Sequence, residues 1–280
     1  MLEMLNLVEP HRPAPKGLSS GPDHVHLLVQ AKQIAYHDRD QVLADPAFAD
    51  VPVERLISKA IRGRARPADR RKVGIEMGHG AVLRQPVRRY VSMSRAVDRD
   101  GNAASLIQSL YGAFGSCVVA GNTGVILQNR ARVFLARSAT IPIASSPARS
   151  RLHTLIASMA KRDGKLWSVL GCMGADGQPQ IQMQLYSAMI DFGLDIQEAI
   201  EMPRFLSGRF AIGEARDTLH IEGRFPEATI DALAQRGHAI NRWDAWNEMA
   251  GHAHGITIDR RNGTLSGGSD PRSDGAAIGY

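Results

Sequence analysis

DRDGNAASLIQSLYGAFGSCVVAGNTGVILQNRAR, residues 98–132, is the stretch from which the rest of the chain is read. Asp100-Gly101 and Asn122-Thr123-Gly124 supply turn chemistry, because Gly and Asn tolerate positive φ at little cost. Between the turns lie three short runs rich in Val, Ile and Leu, at 103–110, 117–120 and 124–128. Runs of this kind predict three buried sheet strands. Ser105, Gln108, Ser109, Ser116 and Asn129 are threaded among the apolar residues. Hydroxyls and amides so placed mark either a site or an ordinary core whose polar groups find partners.

Around this stretch, 280 residues with 44% hydrophobic content are enough for a sizeable core in one or two domains. No run approaches the ~20 apolar residues that span a bilayer. The opening residues lack the basic, apolar and small-residue regions of a signal peptide. A cytoplasmic protein with no membrane partner is therefore expected. Cys117 and Cys172, the two cysteines, give neither a disulfide framework nor a metal set. Both lie in apolar, strand-like runs and are predicted to be reduced and buried, which fits a reducing compartment. The formal net charge is +6. Much of the excess is RGRARPADRRK, residues 62–72, with Arg84, Arg88, Arg89 and Arg95 beyond it. Tyr90 is the single aromatic residue there, so a stacking platform for nucleic acid is not expected. The segment reads as a solvated linker.

Residues 2–8 form a short apolar run, followed by a polar connector. Ser20-Gly21-Pro22-Asp23 reads as a helix start, with Ser20 as cap and Asp23 closing a capping box. Val25, Leu28, Ala31 and Ile34 then predict an amphipathic helix over 22–37. His24, His26 and His37 do not have zinc-ligand spacing, and no metal is expected. Residues 159–171 read as a hairpin turning at Arg162-Asp163-Gly164-Lys165. A Gly-rich loop at 171–177 leads into a helix with Ile181, Leu185, Met189 and Phe192 on its buried face, ended by Gly193. A second helix starts at Asp195 with Glu198 three residues on and stops at Pro203. A third covers 226–236 and closes at Gly237. Residues 255–259 and 264–269 flank an Arg261-Asn262-Gly263 turn, a second hairpin. Strand groups, then helices, then strands predict an α+β fold.

The pieces DGNAASLIQS, FGSCVV, GNTG and LQNR stand in an order and spacing similar to the central part of the gamma-glutamyltranspeptidase family. The final SGGSDPRSDGAAIGY is like the end of that family's chains, and residues 26–60 are like the end of its large subunit. The resemblance implies an αββα four-layer sandwich of the N-terminal nucleophile hydrolases. It divides the chain into a large-subunit-like end at 1–60, an Arg-rich linker or disrupted processing junction at 61–93, and a small-subunit-like region at 94–280. The family's chains are about twice this length, which implies a separate N-terminal chain as one possible partner.

The family frees a threonine at its own cleavage point. That hydroxyl attacks a gamma-glutamyl amide, with its α-amine as base. The corresponding residue is Val91, seven residues before Asp98, which has no nucleophile. Ser92 is the candidate left beside it, and an exposed linker serine is the alternative. The family's second hydroxyl falls on Ser109, eighteen residues after Val91. Its oxyanion loop falls on Gly174-Ala175, where Ala175 is acceptable if its φ is negative. Residues that hold the substrate's α-amino group fall on Arg130 and Val133, and Asn129-Arg130 resembles the acylase-like branch with dicarboxylic acyl groups. A surface salt bridge is the other reading of Arg130. Paired serines that contact carboxylate fall on His153 and Thr154. The resemblance implies no metal and no cofactor. It implies an amide hydrolase or acyltransferase of the glutathione hydrolase or acylase type, acting on a gamma-glutamyl or dicarboxylic acyl amide. A catalytically inactive fragment is the alternative.

Overall fold

The computed structural model describes residues 1–11, 20–64, 91–130, 153–208 and 217–280. The Arg-rich residues 65–90 and Val133 lie outside them. Near the start are helices α1 (Leu2–Val8), α2 (Pro22–Val42) and α3 (Val53–Leu56). Strands β1 (Val91–Val97) and β2 (Ala103–Ser109) pair antiparallel, from Val91 opposite Ser109 to Val97 opposite Ala103. The turn between them is organised by Asp98, whose Oδ1 accepts from the N–H groups of Asp100 (2.9 Å) and Asn102 (2.8 Å). β1 runs across residues 93 and 94, so the segment ahead of Asp98 is sheet from Val91 onward.

β3 (Ala157–Arg162) and β4 (Lys165–Cys172) form the expected hairpin. Asp163 and Gly164 take φ of 52° and 76°, both left-handed, as a two-residue hairpin turn requires. α4 (Gln178–Asp191) and α5 (Ile196–Glu201) follow, and α5 has the reciprocal Asp195–Glu198 capping box read from the sequence. β5 (Phe205–Ser207), β6 (Leu219–Glu222) and β7 (Ile240–Trp243) make a three-stranded sheet, with α6 (Glu227–Gln235) between β6 and β7. β8 (Ala253–Asp259) and β9 (Thr264–Ser269) extend the first hairpin into the sheet β3-β4-β8-β9.

Two layers of sheet stack face to face, because β1 and β2 lie against β4 and β8. Arg95 of β1 lies on Gly171 of β4 so closely that a Cβ there would meet the guanidinium at 1.6 Å. α4 and α5 cover the opposite face of the four-stranded sheet. Leu170, Ile181, Leu185, Ile196, Ile200 and Leu206 form the core between them. A second core joins α1 and α2 to the three-stranded sheet and α6 through Met4, Leu7, Leu28, Leu219, Ile221 and Leu233. The fold is α+β, as the order of elements implied.

Four expectations are corrected. Of the three strands expected in 98–132, only β2 forms. Residues 117–120 and 124–128 meet at the single bridge Val119–Ile126, and Val118, Val119, Val125 and Leu127 are exposed. Backbone bonds do link the two runs, from Ser116 N–H to Leu127 O (2.7 Å) and from Leu127 N–H to Val118 O (2.8 Å), but left-handed Phe114, Gly115 and Cys117 bend the chain out of a regular strand. Cys117 has φ of 60° and is exposed, whereas Cys172 is buried; both thiols are free. Gly21 rather than Ser20 caps α2, and no capping box forms. Asp23 instead pairs with Arg236 beyond α6. Finally, α2 is longer than expected and buried around much of its circumference, from His24 to Lys32, so it is a central helix rather than an amphipathic one.

The histidines of α2 serve packing. His24 Nε2 and the Ser187 hydroxyl lie 3.2 Å apart, and the ring meets Phe192 edge-on. His26 Nδ1 lies 2.7 Å from His238 Nε2. Burial pushes His24 down to about 4 against the opposing pull of Asp191. Burial, His26 and Arg236 push His238 down to about 4, with Asp217 opposing. Both stay neutral in the fold, while the unfolded chain takes up protons below about 6.5. The unfolded state therefore binds more protons between pH ~6.5 and about 4, and stability falls as pH falls through that window. We expect a loss on the order of 2–3 kcal/mol, mostly from the better-buried His24. Denaturant melts at both pH values should show a smaller loss for His24→Gln; an equal loss would refute this account.

Candidate active site

Alternation along β1 and β2 sorts the candidate residues by face. Val91, Met93, Arg95 and Val97 share the inward face with Ala103, Ser105, Ile107 and Ser109. Val91 and Ser109 are direct cross-strand partners, which places their Cβ atoms about 5 Å apart. Ser92 points the other way, exposed, opposite Gln108. The structure thus brings Val91 to Ser109 and sends Ser92 to the outer face.

A chain of contacts leads from Ser109 to the Gly-rich loop. Ser109 Oγ accepts from Tyr111 N–H at 2.9 Å. Tyr111 has a φ of 73°, strained for a bulky residue, which turns the chain sharply out of β2. Its ring lies 5.3 Å from the guanidinium of Arg130. Arg130 is 1% exposed and donates from Nη1 to Thr154 Oγ1 at 2.5 Å. A surface salt bridge for Arg130 is therefore excluded by its burial. Two residues past Thr154, Ile156 donates its N–H to Gln178 Oε1 (2.8 Å) and accepts from Gln182 Nε2 (2.9 Å). Gln178 opens α4 directly after the loop. Ser109, Arg130, Thr154 and the loop are thereby connected through Tyr111 and Gln178, two residues the sequence reading missed. Nothing in the sequence around Gln178 marks it; Tyr111 carries only the weak signal of a bulky residue before Gly112 at a strand end.

Asn129 and His153 stand apart from that chain. Asn129 accepts from Gly112 N–H (2.9 Å) and donates to Gly115 O (2.7 Å), fastening the loop beyond Tyr111. His153 is exposed. Cys172, at the end of β4, is pushed up to about 12 by burial, so its thiol is not a ready nucleophile.

Gly174 has φ of 141° and Ala175 has φ of 46°. The condition set for Ala175, a negative φ, is not met. A Cβ in the left-handed region costs about 1–2 kcal/mol. The loop is held regardless from three sides. Met173 N–H donates to His252 O at 2.9 Å, Tyr36 of α2 donates its hydroxyl to Asp176 O, and Arg39 pairs with the Asp176 carboxylate at 3.3 Å. Relieving the strain should stabilise the chain. Ala175→Gly is expected to raise unfolding free energy by about 0.5 kcal/mol, after the added flexibility of the unfolded glycine is deducted. A decrease in denaturant melts would show that the Ala175 methyl group contributes packing instead.

Among the described residues, no group of three or more His, Cys, Asp or Glu is arranged to hold a metal ion, and no helix is long and apolar enough to cross a membrane. The whole chain, residues 1–280, matches the family model described as gamma-glutamyltranspeptidase. It is 39% identical over 265 residues to the glutathione hydrolase-like YwrD proenzyme of Bacillus subtilis strain 168, covering 92% of this chain and 47% of that protein. It is 38% identical over 261 residues to the oxamate amidohydrolase proenzyme of Klebsiella pneumoniae, covering 91% and 47%. The cephalosporin acylase structure from Bacillus halodurans superposes with a TM-score of 0.79 at 29% identity, over 100% of this chain and 49% of that one. The chain spans about half the length of the curated relatives it matches. The superposition and the stacked sheets with helices beside them give the αββα class of the N-terminal nucleophile hydrolases. With the family model matched from end to end and relatives near 40% identity, the chain belongs to the gamma-glutamyltranspeptidase family.

Proposed function

We propose that this site is built for amide hydrolysis or acyl transfer through an acyl-enzyme, of the glutathione hydrolase or acylase type. The observation that carries the reading is the pairing of position 91 with Ser109, joined by contacts to Arg130 and Thr154, with Ile156 beyond them bonded to Gln178 at the start of the helix that follows the Gly174-Ala175 loop. In such a reaction a hydroxyl at the start of β1 attacks the amide carbonyl, and the free α-amine of the same residue takes its proton. Ser109 orients that pair. The N–H groups of Gly174 and Ala175 receive the oxyanion. Arg130 and Thr154 bind the far end of the acyl group. The substrate is a small gamma-glutamyl or dicarboxylic acyl amide, and the remaining half of the family's length acts as a partner, either on a separate chain or on a longer one.

A second reading, a catalytically inactive fragment, is favoured by one observation: the residue facing Ser109 is Val91, which has no hydroxyl. Ser92 takes the nucleophile's part only if β1 rotates its outer face inward, a slip of one residue that would turn every side chain of the strand. Intact-mass analysis together with assays on gamma-glutamyl anilide and glutaryl amides separates the readings. With Ser92 as nucleophile the chain splits before Ser92, and both Ser92→Ala and Ser109→Ala abolish turnover. With Val91 in the nucleophile's place the chain keeps its full mass and turns over neither substrate. The first result supports the acyl-transfer reading, and the second overturns it in favour of the inactive fragment.

A further inference from the structure

Four glutamines stand at alternate positions of α4, Gln178, Gln180, Gln182 and Gln184, and all four are buried. An α-helix turns about 100° per residue, so Gln178 and Gln182 share one face and Gln180 and Gln184 the opposite one. On the second face, Gln180 takes both the N–H (2.8 Å) and the carbonyl (3.1 Å) of Ser207, and Gln184 takes those of Phe205 (3.3 and 2.8 Å). β5 is an edge strand of its sheet. Residues two apart on its outer edge are spaced about 6.6 Å, close to the ~6 Å rise of four helical residues. The two amides therefore do for β5 what a neighbouring strand would do. On the first face, Gln178 Oε1 accepts from the Ile156 N–H at 2.8 Å, and Gln182 Nε2 donates to the Ile156 carbonyl at 2.9 Å. A backbone N–H only donates and a carbonyl only accepts, so Gln178 serves as acceptor and Gln182 as donor. Ile156 lies just ahead of β3 and two residues past Thr154, whose Oγ1 receives Arg130. At the start of the same helix, Gly177 N–H turns back to Gly174 O at 2.7 Å. One helix is thus fastened to the Thr154 segment on one side and to β5 on the other, with the Gly174-Ala175 loop leading into it.

We infer that Gln178 and Gln182 are positioning residues: they hold Thr154 at a fixed place relative to the Gly174-Ala175 loop. Gln180 and Gln184 keep the helix from rolling by tying its other face to β5. A site is held more tightly by side chains locked on a helix than by loops resting on one another. What the loop and Thr154 do for a substrate rests on the proposed acyl-transfer reading. The positioning rests on the hydrogen bonds alone.

NMR on the 280-residue chain tests this without any need for turnover. In the wild-type chain the Ile156 amide should be protected from exchange with solvent. Gln178→Met should speed that exchange about tenfold, the effect of losing one hydrogen bond, and should shift the Thr154 methyl signal. Gln178→Glu, which keeps an acceptor, should leave the Thr154 signal where it is. Gln182→Glu, which sets an acceptor against the Ile156 carbonyl, should move it. Gln197→Met is the control for general loosening. Gln197 of α5 grips the N–H (2.9 Å) and the carbonyl (3.0 Å) of Ser269 in the same manner, and its loss should leave the Thr154 signal in place. An unprotected Ile156 amide in the wild-type chain overturns the inference whether or not the variants fold. So does a folded Gln178→Met that leaves the Thr154 methyl unmoved, or a Gln178→Glu or Gln197→Met that moves it as far as Gln178→Met does. Neither signal depends on catalysis, so a chain that shows these shifts and cleaves no amide refutes the acyl-transfer reading alone. A chain that cleaves gamma-glutamyl anilide while Thr154 stays unmoved in Gln178→Met refutes the positioning alone.

Discussion

Asp270→Asn should cost about 3–5 kcal/mol of unfolding free energy, the range for removing one partner from a buried ion pair. The Asp270 carboxylate is fully enclosed. Its Oδ2 receives the guanidinium of Arg204 at 2.6 Å and the N–H of Ala253 at 2.7 Å. Its Oδ1 receives Arg272 through Nη1 at 3.1 Å and through the backbone N–H at 3.0 Å. Burial alone would raise its pKa, but Arg204, Arg272 and the two backbone donors more than offset that and hold it below the usual carboxylate range. Glu222 closes the network by pairing with Arg272 at 2.6 Å and Arg224 at 3.1 Å. An amide at 270 keeps the shape and part of the hydrogen bonding. It leaves Arg204, itself 1% exposed, without an anion. Arg204 Nη1 also donates to Gly251 O at 2.8 Å, and His252, next in the chain, holds Met173 beside the Gly-rich loop. The same substitution should therefore loosen the loop, seen as faster amide exchange at Met173 and Gly174. Urea melts would test the energy: a loss below about 1 kcal/mol would mean that the cluster is neutralised by some other group. The double change Asp270→Leu with Arg204→Met, which removes both charges, should recover part of the loss.

This cluster also shows where reading the sequence stopped. Asp270-Pro271-Arg272 could be quoted as a motif, but a string does not say that Asp270 meets Arg204, 66 positions earlier. Local chemistry was legible. The Asp163-Gly164 turn, the Asp195–Glu198 cap and the Gly193 and Gly237 stops depend on residues within four positions of one another, and they form as read. Non-local competition was not legible. The apolar runs at 117–120 and 124–128 have strand composition, yet Cys117 takes a left-handed φ and the pairing is left as one bridge. α2 has a helical period, but three surrounding elements bury the faces that period would have left wet. In the candidate site, the pairing of position 91 with Ser109 follows from two strands and one Asp-Gly turn, which the sequence does contain. The left-handed Ala175 and the burial of Arg130 depend on backbone angles and on tertiary packing, and neither is written in residue type.

The second large effect is expected at Gly251. Its φ of 84° and ψ of 165° lie in a region essentially restricted to glycine. A Cβ there would meet Met173 O at 2.5 Å and Ile181 Cδ1 at 2.4 Å. The isoleucine tip can turn aside at modest cost. The carbonyl cannot, because Met173 is held by its N–H bond to His252 O, in the residue next to Gly251 itself. Gly251→Ala therefore combines a backbone penalty of about 1–2 kcal/mol with a clash of about 1–3 kcal/mol, and a total near 3 kcal/mol is expected. The displacement has a direction: it pushes Met173 away from the start of β8 and carries Gly174 and Ala175 with it. If that loop receives the oxyanion, any acyl transfer by the chain is lost together with the stability, whereas Gly267→Ala should leave the loop in place. Gly267 lies in β9, where an added Cβ meets only Ala277, its Cβ at 3.0 Å and its Cα at 4.0 Å. Denaturant melts of the two variants make the comparison without requiring activity. Equal stabilities would show that Met173 yields freely, and the loop would then be too compliant to hold two N–H groups on a developing charge.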